Sequence, residues 1–463
     1  MTRVVILGGG PAGYEAALVA AQLGAQVTLV ERDGLGGSCV LYDCVPSKTF
    51  IVSANAATTF RDGDAVGVMA CEAEDVKVNA PAVHGRVRGL ALAQSSDIRA
   101  KMLDAGVELV RAQARLVPGA ASHLQRVEFD EGQGHIDAQV VLIATGASPR
   151  VLPGAEPDGE RILTWRQVYD LAELPEELVI VGSGVTGAEF ASAYQAMGTK
   201  VTLIASRDRV MPHEDSDAAN LIEHVFNKRG MTLLYNGRAT SVRREGSGVV
   251  VELADGRVVR GSHALMTVGS VPNTDGLGLA EAGVECGPGG HVKVDRVSRT
   301  SVPGVYAAGD CTGLLPLASV AAMQGRIAMW HALGEAVAPL KLNTVAANVF
   351  TDPEMATVGV GQSTVEAGLV PARSVMLPLA TNARAKMTGF DDGFVKLYCR
   401  PASGLVIGGV VVGPRASELI LPIAMAVQNK LTVQQIAQTI AIYPSLSGSI
   451  TEAARQLIEY ETD

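Results

Sequence analysis

"VVILGGGPAGYEAALVAAQLGAQVTLVER" (residues 4–32) decides the fold. The apolar run Val4–Leu7 reads as a buried strand, the glycines and Pro11 as a tight turn, the alanine-rich stretch up to Gly24 as a helix, and "QVTLVE" as a second strand. Gly8, Gly10 and Gly13 keep the G-x-G-x-x-G spacing, with Pro11 and Ala12 between the last two. Placed between a strand and a helix, that spacing lets the backbone approach a pyrophosphate at the helix N-terminus. The same plan returns in "LVIVGSGVTGAEFASAYQAMGTKVTLIASR" (178–207), where Gly182, Gly184 and Gly187 hold the spacing around Val185 and Thr186. Two such units predict two dinucleotides.

Glu31 ends the second strand about 20 residues past the first glycines, where an acidic residue hydrogen-bonds a ribose diol. The first unit is therefore equipped for an adenosine diphosphate with free ribose hydroxyls, as in FAD. The equivalent count in the second unit lands on Ala205, followed by Ser206, Arg207 and Arg209. With no carboxylate at that count, and with cations and a hydroxyl close by, a 2′-phosphate is welcome. NADPH is expected there, with NADH as the alternative.

Each unit closes on a similar turn: "LIATGASPR" (142–150), with Thr145 and Gly146, and "LMTVGSVPNT" (265–274), with Gly269. The first unit is the longer, which predicts an extra helical insertion over about 45–105. "TSVPGVYAAGD" (300–310) reads as a strand ending at Gly309 and Asp310, and a helix pattern begins at Leu317 and Ala318. Beyond "KLNTVAANVF" (341–350), alternating strands such as "GFVKLYC" give way to helical segments. The expected architecture is α/β with two Rossmann-like dinucleotide-binding domains, residues 1–150 for FAD and 151–270 for NAD(P). A central domain (271–340) would complete the FAD site, and a C-terminal α+β domain would span 341–463.

Composition narrows the partners. A chain of 463 residues with net charge −10 and no lysine or arginine run offers no electrostatic footprint for nucleic acid. Its longest apolar stretch, "GLVIGGVVVG" (404–413), is half of the ~20 residues that a membrane span needs. The opening segment is broken by glycines and a proline, unlike a signal peptide. A soluble, cytoplasmic protein is expected. Six cysteines are too few for a secreted disulfide framework. Cys71, Cys286, Cys311 and Cys399 stand alone and read as small buried hydrophobes, and "TNARAK" (381–386) reads as a solvated face.

Only Cys39 and Cys44, in "GGSCVLYDCVPSK" (36–48), are close enough for joint chemistry. In a regular helix residues i and i+5 point about 140° apart, beyond disulfide reach, so the pair predicts a distorted first turn near Pro46.

Together, the two glycine turns, Glu31, this cysteine segment, "ATG", "VYAAGD" and "FTDPEMATVG" resemble the flavoprotein disulfide reductases over essentially the whole chain. The resemblance implies a homodimer built on a C-terminal dimerisation domain. It places FAD on Gly8, Gly10, Pro11, Ala12, Gly13, Glu31, Gly37, Ser38, Lys48, Thr145, Gly146 and Asp310, the last accepting from the ribityl chain. Lys48 would sit near flavin N5 and pair with Glu189, and the helix from Leu317 and Ala318 would aim its N-terminus at the N1/O2 edge. NAD(P)H would take Gly182, Gly184, Val185, Thr186, Gly187, Ser206, Arg207 and Gly269. Cys44 would lie against the flavin and Cys39 would exchange with substrate.

Departures from the family pattern redirect the expected activity. The glycine usual before the second cysteine is Asp43 here. The family's acid/base histidine and its glutamate correspond to Tyr443 and Gly448 in "YPSLSG", and the last histidine of the chain is His331. "QLIEYETD" at the end carries no cysteine pair, so metal-ion reduction as in mercuric reductase, and a metal site, are not expected. The hydride half is complete and the thiol-proton half is not. The chain is most similar to actinobacterial NAD(P)H:quinone reductases that lack the histidine–glutamate pair, and a quinone acceptor is the leading expectation. A disulfide reductase using Cys39 and Cys44 is the alternative, and a flavin-bearing redox sensor a third reading.

Overall fold

The computed structural model describes residues 1–68, 76–118, 124–130 and 134–459. Cys71 and the last residues of "QLIEYETD" lie outside the described residues. The chain forms two compact units, one of Met1–Thr49, His84–Arg150 and Gly269–Leu342, the other of Phe50–Val83, Val151–Val268 and Asn343–Asp463. The α/β class expected from the sequence is the class found.

In the first unit, five strands make a parallel sheet in the order Val305–Ala307, Val140–Ile143, Arg3–Leu7, Gln26–Val30, Glu108–Val110. Val4, Val5 and Ile6 are wholly buried because a parallel sheet is covered on both faces, which is why these strands read as unbroken apolar runs. Helix Pro11–Gln22 packs on helix Ala318–Ala332. Their approach is so close that a Cβ on Gly325 would collide with the Ala12 carbonyl. A three-stranded antiparallel sheet, Ala114–Val117, Gln125–Phe129 and His135–Ala138, covers the other side of the apolar core through Leu116 and Val127.

The second unit repeats the parallel plan in the order Thr232–Leu234, Lys200–Ile204, Glu177–Val181, His263–Met266, Ile162–Thr164. It also carries an antiparallel sheet from the C-terminal segment, ordered Ala346–Val349, Glu354–Gly359, Val406–Gly413, Phe394–Cys399, Arg373–Pro378, with helix Ala416–Asn429 against it. Phe394–Cys399 is buried at every position, including Lys396. The Lys396 ammonium is compensated by Asp215 at 2.9 Å, Asp217 at 2.6 Å and the Gln362 carbonyl oxygen at 3.0 Å. Asp215 at the same time caps helix Ser216–Lys228 by accepting from the Asp217 and Ala218 amides.

The expected insertion is two helices, Cys44–Arg61 and Ala80–Asp104. Cys311 and Cys399 are buried as expected, whereas Cys286 is exposed. It forms an isolated bridge with Val292 in a surface hairpin that turns back at Gly287 to Gly290, which leaves it outside the core. "TNARAK" is likewise more than a solvated face. Asn382 caps helix Ala383–Met387 and donates to the Ser445 carbonyl at 3.0 Å and the Ser449 hydroxyl at 2.8 Å.

Candidate active site

The two glycine turns have the same backbone geometry. Gly8 and Gly182 have φ of +106° and +110°, a left-handed region that disfavours a side chain. Gly10 and Gly184 then open their helices with φ/ψ of −70°/−174° and −71°/−173°. Neither helix has a side-chain cap, so the first N–H groups of Pro11–Gln22 and Val185–Ala196 remain available to an anion. Gly13 and Gly187 sit so close to the Gly8 and Gly182 carbonyls that no Cβ fits, while a Cβ on Gly10 or Gly184 would meet nothing within 4 Å. The third glycine therefore serves packing, and the middle one leaves open space where a phosphate would lie.

Around the first turn, the Glu31 carboxylate accepts from the Gly9 amide at 2.7 Å with one oxygen and from the Asp33 amide at 2.7 Å with the other. Gly36 N–H donates to the Gly9 carbonyl at 2.8 Å, and a Cβ on Gly37 would stand 2.8 Å from Gly10 Cα. The cysteine segment is thus docked directly on the glycine turn. Thr145 and Gly146 are held from a distance in sequence. The Thr145 hydroxyl donates to the Asn273 carbonyl at 2.7 Å, Asn273 Nδ2 donates to the Thr145 carbonyl at 2.9 Å, and Asn273 N–H donates to the Gly146 carbonyl at 3.0 Å. Asp310 heads the short turn Asp310–Thr312, and burial raises its pKa. Its carboxyl takes no hydrogen bond among the described residues, which suits it to a hydroxyl-bearing ligand. Gln324, buried on helix Ala318–Ala332, accepts from Gly309 N–H at 2.9 Å and so holds Asp310 in place. Leu317 opens that helix without a side-chain cap.

The cysteines do not share one helix. Gly37–Leu41 ends at Tyr42, whose N–H and that of Asp43 both return to the Ser38 carbonyl, at 3.0 and 2.8 Å. A new helix then starts at Cys44, with Pro46 in its first turn, where a missing N–H costs nothing. The expected distortion is therefore a complete break, and it brings the two thiols into hydrogen-bond contact. Cys39 is lowered in pKa, chiefly by the bond from Cys44, against the opposing effect of burial and with help from the Lys48 ammonium. Cys44, as the donor in a buried place, is raised. Within the pair Cys44 donates and Cys39 accepts, which makes Cys39 the more acidic of the two thiols.

In the second unit, Glu189 is buried on helix Val185–Ala196, and its carboxylate accepts from Phe350 N–H at 2.9 Å. The Thr267 hydroxyl, at 3.0 and 2.8 Å from the Val181 and Gly182 carbonyls, ties the closing turn to the glycine turn. Ser206, Arg207 and Asp208 are exposed past strand Lys200–Ile204 and Arg209 is half-buried. Neither arginine side chain is paired with a carboxylate among the described residues. Gly269 has φ +90° and open space at its Cβ position. Sequence reasoning missed Asn273, Gln324 and Thr267, because each acts on a turn far away in the chain.

Residues 2–325 match the model of pyridine nucleotide-disulphide oxidoreductases, and residues 345–454 match the dimerisation domain of the same family. The chain belongs to that family. Its cofactors are FAD and NAD(P)H, and the uncapped helix starts, the open space over Gly10 and Gly184 and the bare Asp310 carboxyl fit them. The chain is 59% identical to an NAD(P)H dehydrogenase (quinone) of Mycobacterium tuberculosis, over 100% of this chain and 95% of that protein. It is 34% identical to a dihydrolipoyl dehydrogenase of Haloferax volcanii, over 99% and 96%. The crystal structure of LpdA from Mycobacterium tuberculosis, 59% identical, superimposes with a TM-score of 0.94 and covers 99% of this chain and 100% of that one. A dimerisation domain is present, and among the described residues no helix is long and apolar enough to cross a membrane.

Proposed function

We propose that the chain is an FAD-dependent NAD(P)H:quinone oxidoreductase, acting as a cytoplasmic homodimer. One observation carries the reading: the interface domain presents Tyr443, 85% exposed, and the helix-starting Gly448 where a disulfide reductase of this family keeps its acid/base histidine and glutamate. The name of the 59%-identical Mycobacterium tuberculosis relative supports it. When bound, FAD would supply the redox chemistry that links hydride from NAD(P)H to the acceptor. The protein's part is to place the reactants. The helix starts at Pro11 and Val185 would hold the two pyrophosphates, Glu31 the adenosine ribose and Asp310 the ribityl hydroxyls. Lys48 would supply a cation on the flavin side, and in the second unit Glu189 is held by the Phe350 amide. Ser206 and Arg207 favour NADPH, with NADH as the alternative.

A disulfide reductase is the second reading, favoured by the lowered pKa of Cys39 beside Cys44. Following NADPH oxidation with a naphthoquinone, lipoamide and oxidised glutathione separates the two. Quinone turnover is expected to be the fastest and to survive the double replacement Cys39→Ser/Cys44→Ser, while any disulfide turnover vanishes. Fast lipoamide reduction with negligible quinone reduction would falsify the proposal.

A further inference from the structure

The segment that follows strand Lys200–Ile204 carries Ser206, Arg207 and Arg209, and its backbone is held at both ends. Ala205 N–H donates to the Leu234 carbonyl and Gly237 N–H to the Ala205 carbonyl, both at 2.8 Å, so the segment leaves its strand clamped to the neighbouring one. Asn236, with φ of +53°, donates its N–H to the Arg207 carbonyl at 2.8 Å. At the far end Met211 N–H donates to the Ser183 carbonyl at 2.8 Å, inside the second glycine turn. Val210 and Met211 are buried, whereas Ser206, Arg207 and Asp208 are exposed.

One side chain takes part in this clamp. Val210 N–H donates to the carboxylate of Glu223, on helix Ser216–Lys228, at 2.5 Å. Among the described residues no other side chain hydrogen-bonds residues 205–211. A peptide unit is planar, so this bond fixes the plane between Arg209 and Val210, as the Asn236 bond fixes the plane between Arg207 and Asp208. Both arginines therefore leave a backbone whose direction is already set. The Tyr235 phenol, next in sequence to Asn236, feels the same carboxylate: its pKa is raised by burial and then by the Glu223 charge.

We propose that Glu223 is a positioning residue for coenzyme choice, which holds the Val210 amide so that Arg207 and Arg209 are preset for a 2′-phosphate. The inference rests on the NADPH reading and deepens it. An arginine that finds its place only on binding loses affinity to its own ordering, and a preset one does not. NADH has no 2′-phosphate, so its binding is indifferent to the clamp. Glu223 acts through the segment rather than by its charge, because a carboxylate facing a phosphate would repel it.

Two variants separate geometry from charge. Glu223→Asp keeps the charge and is one methylene short of the Val210 amide; Glu223→Gln keeps the reach and an acceptor oxygen and loses the charge. Calorimetric titration of the holoenzyme with NADP⁺ and NAD⁺ reads coenzyme choice without turnover. Glu223→Asp is expected to weaken NADP⁺ at least about threefold, the cost of ordering one long side chain on binding, and to leave NAD⁺ nearly unchanged. Glu223→Gln is expected to stay close to wild type. The limiting rate of anaerobic flavin bleaching by NADPH should be the same in all three, since the clamp lies on the adenosine side. An unchanged NADP⁺ to NAD⁺ ratio in Glu223→Asp overturns the proposal, and so does an equal effect of Glu223→Gln. In an Arg207→Ala/Arg209→Ala background the Asp substitution should alter neither constant, because its effect runs through the arginines; a full effect there also overturns the proposal. If Arg207→Ala/Arg209→Ala alone leaves the ratio unchanged, the NADPH reading itself fails, and this inference falls with it. Should Glu223→Asp fail to fold, wild type decides: the amides of residues 205–211 are expected to exchange slowly in coenzyme-free holoenzyme, and exchange as fast as in an unstructured peptide overturns the proposal.

Discussion

Replacing Glu31 by glutamine isolates what the carboxylate does for FAD. One oxygen accepts from Gly9 N–H at 2.7 Å, and the other accepts from Asp33 N–H at 2.7 Å and Gly34 N–H at 3.4 Å. A glutamine keeps the length but has one acceptor oxygen, so its NH₂ group faces either Gly9 or Asp33, donor against donor. If the oxygen stays on Asp33, the Gly9 amide loses its partner and the glycine turn is left with only the Gly8 N–H bond to the Val30 carbonyl, at 2.9 Å, on the second strand. The ribose diol meets an amide in place of a carboxylate. A hydrogen bond to a charged group is worth about 1.5–3 kcal/mol. At 1.4 kcal/mol per decade, the loss of one such bond weakens FAD binding roughly 10- to 100-fold. Titrating apo-protein with FAD and following the fluorescence of the free cofactor gives the dissociation constant directly. A Glu31→Gln variant that binds FAD within about threefold of wild type would refute the reasoning, because neither the ribose contact nor the turn anchor would then contribute.

Two further outcomes are expected. Lys396→Met leaves the buried Asp215 without its cation, and breaking one side of a buried pair costs about 3–5 kcal/mol; in a chain of this length the melting temperature should drop by roughly 3–5 °C, and a drop under about 1 °C would contradict the burial of the pair. Burial opposes the charge on Lys396, but its bonds to Asp217 and Asp215 prevail and raise its pKa, so its contribution is complete below the free-lysine value near ~10.4 and is lost as pH rises through the higher folded value. The gap between wild-type and Met melting curves should accordingly stay constant from neutrality to about pH 10 and narrow above it. Arg207→Ala should raise KM for NADPH about five- to tenfold and leave KM for NADH nearly unchanged, as expected for one exposed contact to a 2′-phosphate worth about 1 kcal/mol; equal effects on both coenzymes would remove Arg207 from phosphate recognition.

What could be read from the sequence is what the backbone dictates locally. Gly8 and Gly182 need positive φ, Gly13 and Gly187 need the absence of a Cβ, and Glu31 must end a strand. Each requirement is met within about 25 residues, so spacing alone reveals it. The side chains that hold the turns escape such a reading. Asn273 reaches Thr145 and Gln324 reaches Gly309 only after the sheet has assembled, and nothing near Asn273 in the sequence marks it as a clamp. Lys396 misleads for a related reason: in "GFVKLYC" it resembles a solvent-facing residue of an alternating strand, while two aspartates 179 and 181 positions earlier let it be buried.

The cysteine segment shows how local and distant information combine. Spacing alone says that Cys39 and Cys44 cannot meet on one helix, and the break at Tyr42 and Asp43 is the chain's answer, achieved with Asp43 where the family has glycine. That break yields a polarised thiol pair whose chemistry would suit a disulfide substrate. What such a substrate also needs is a base at the other end of the chain, and Tyr443 and Gly448 do not provide one. The thiols are therefore polarised towards each other but lack the proton handling at Tyr443 and Gly448 that exchange with a disulfide requires, which is why a quinone acceptor fits the chain better than a disulfide.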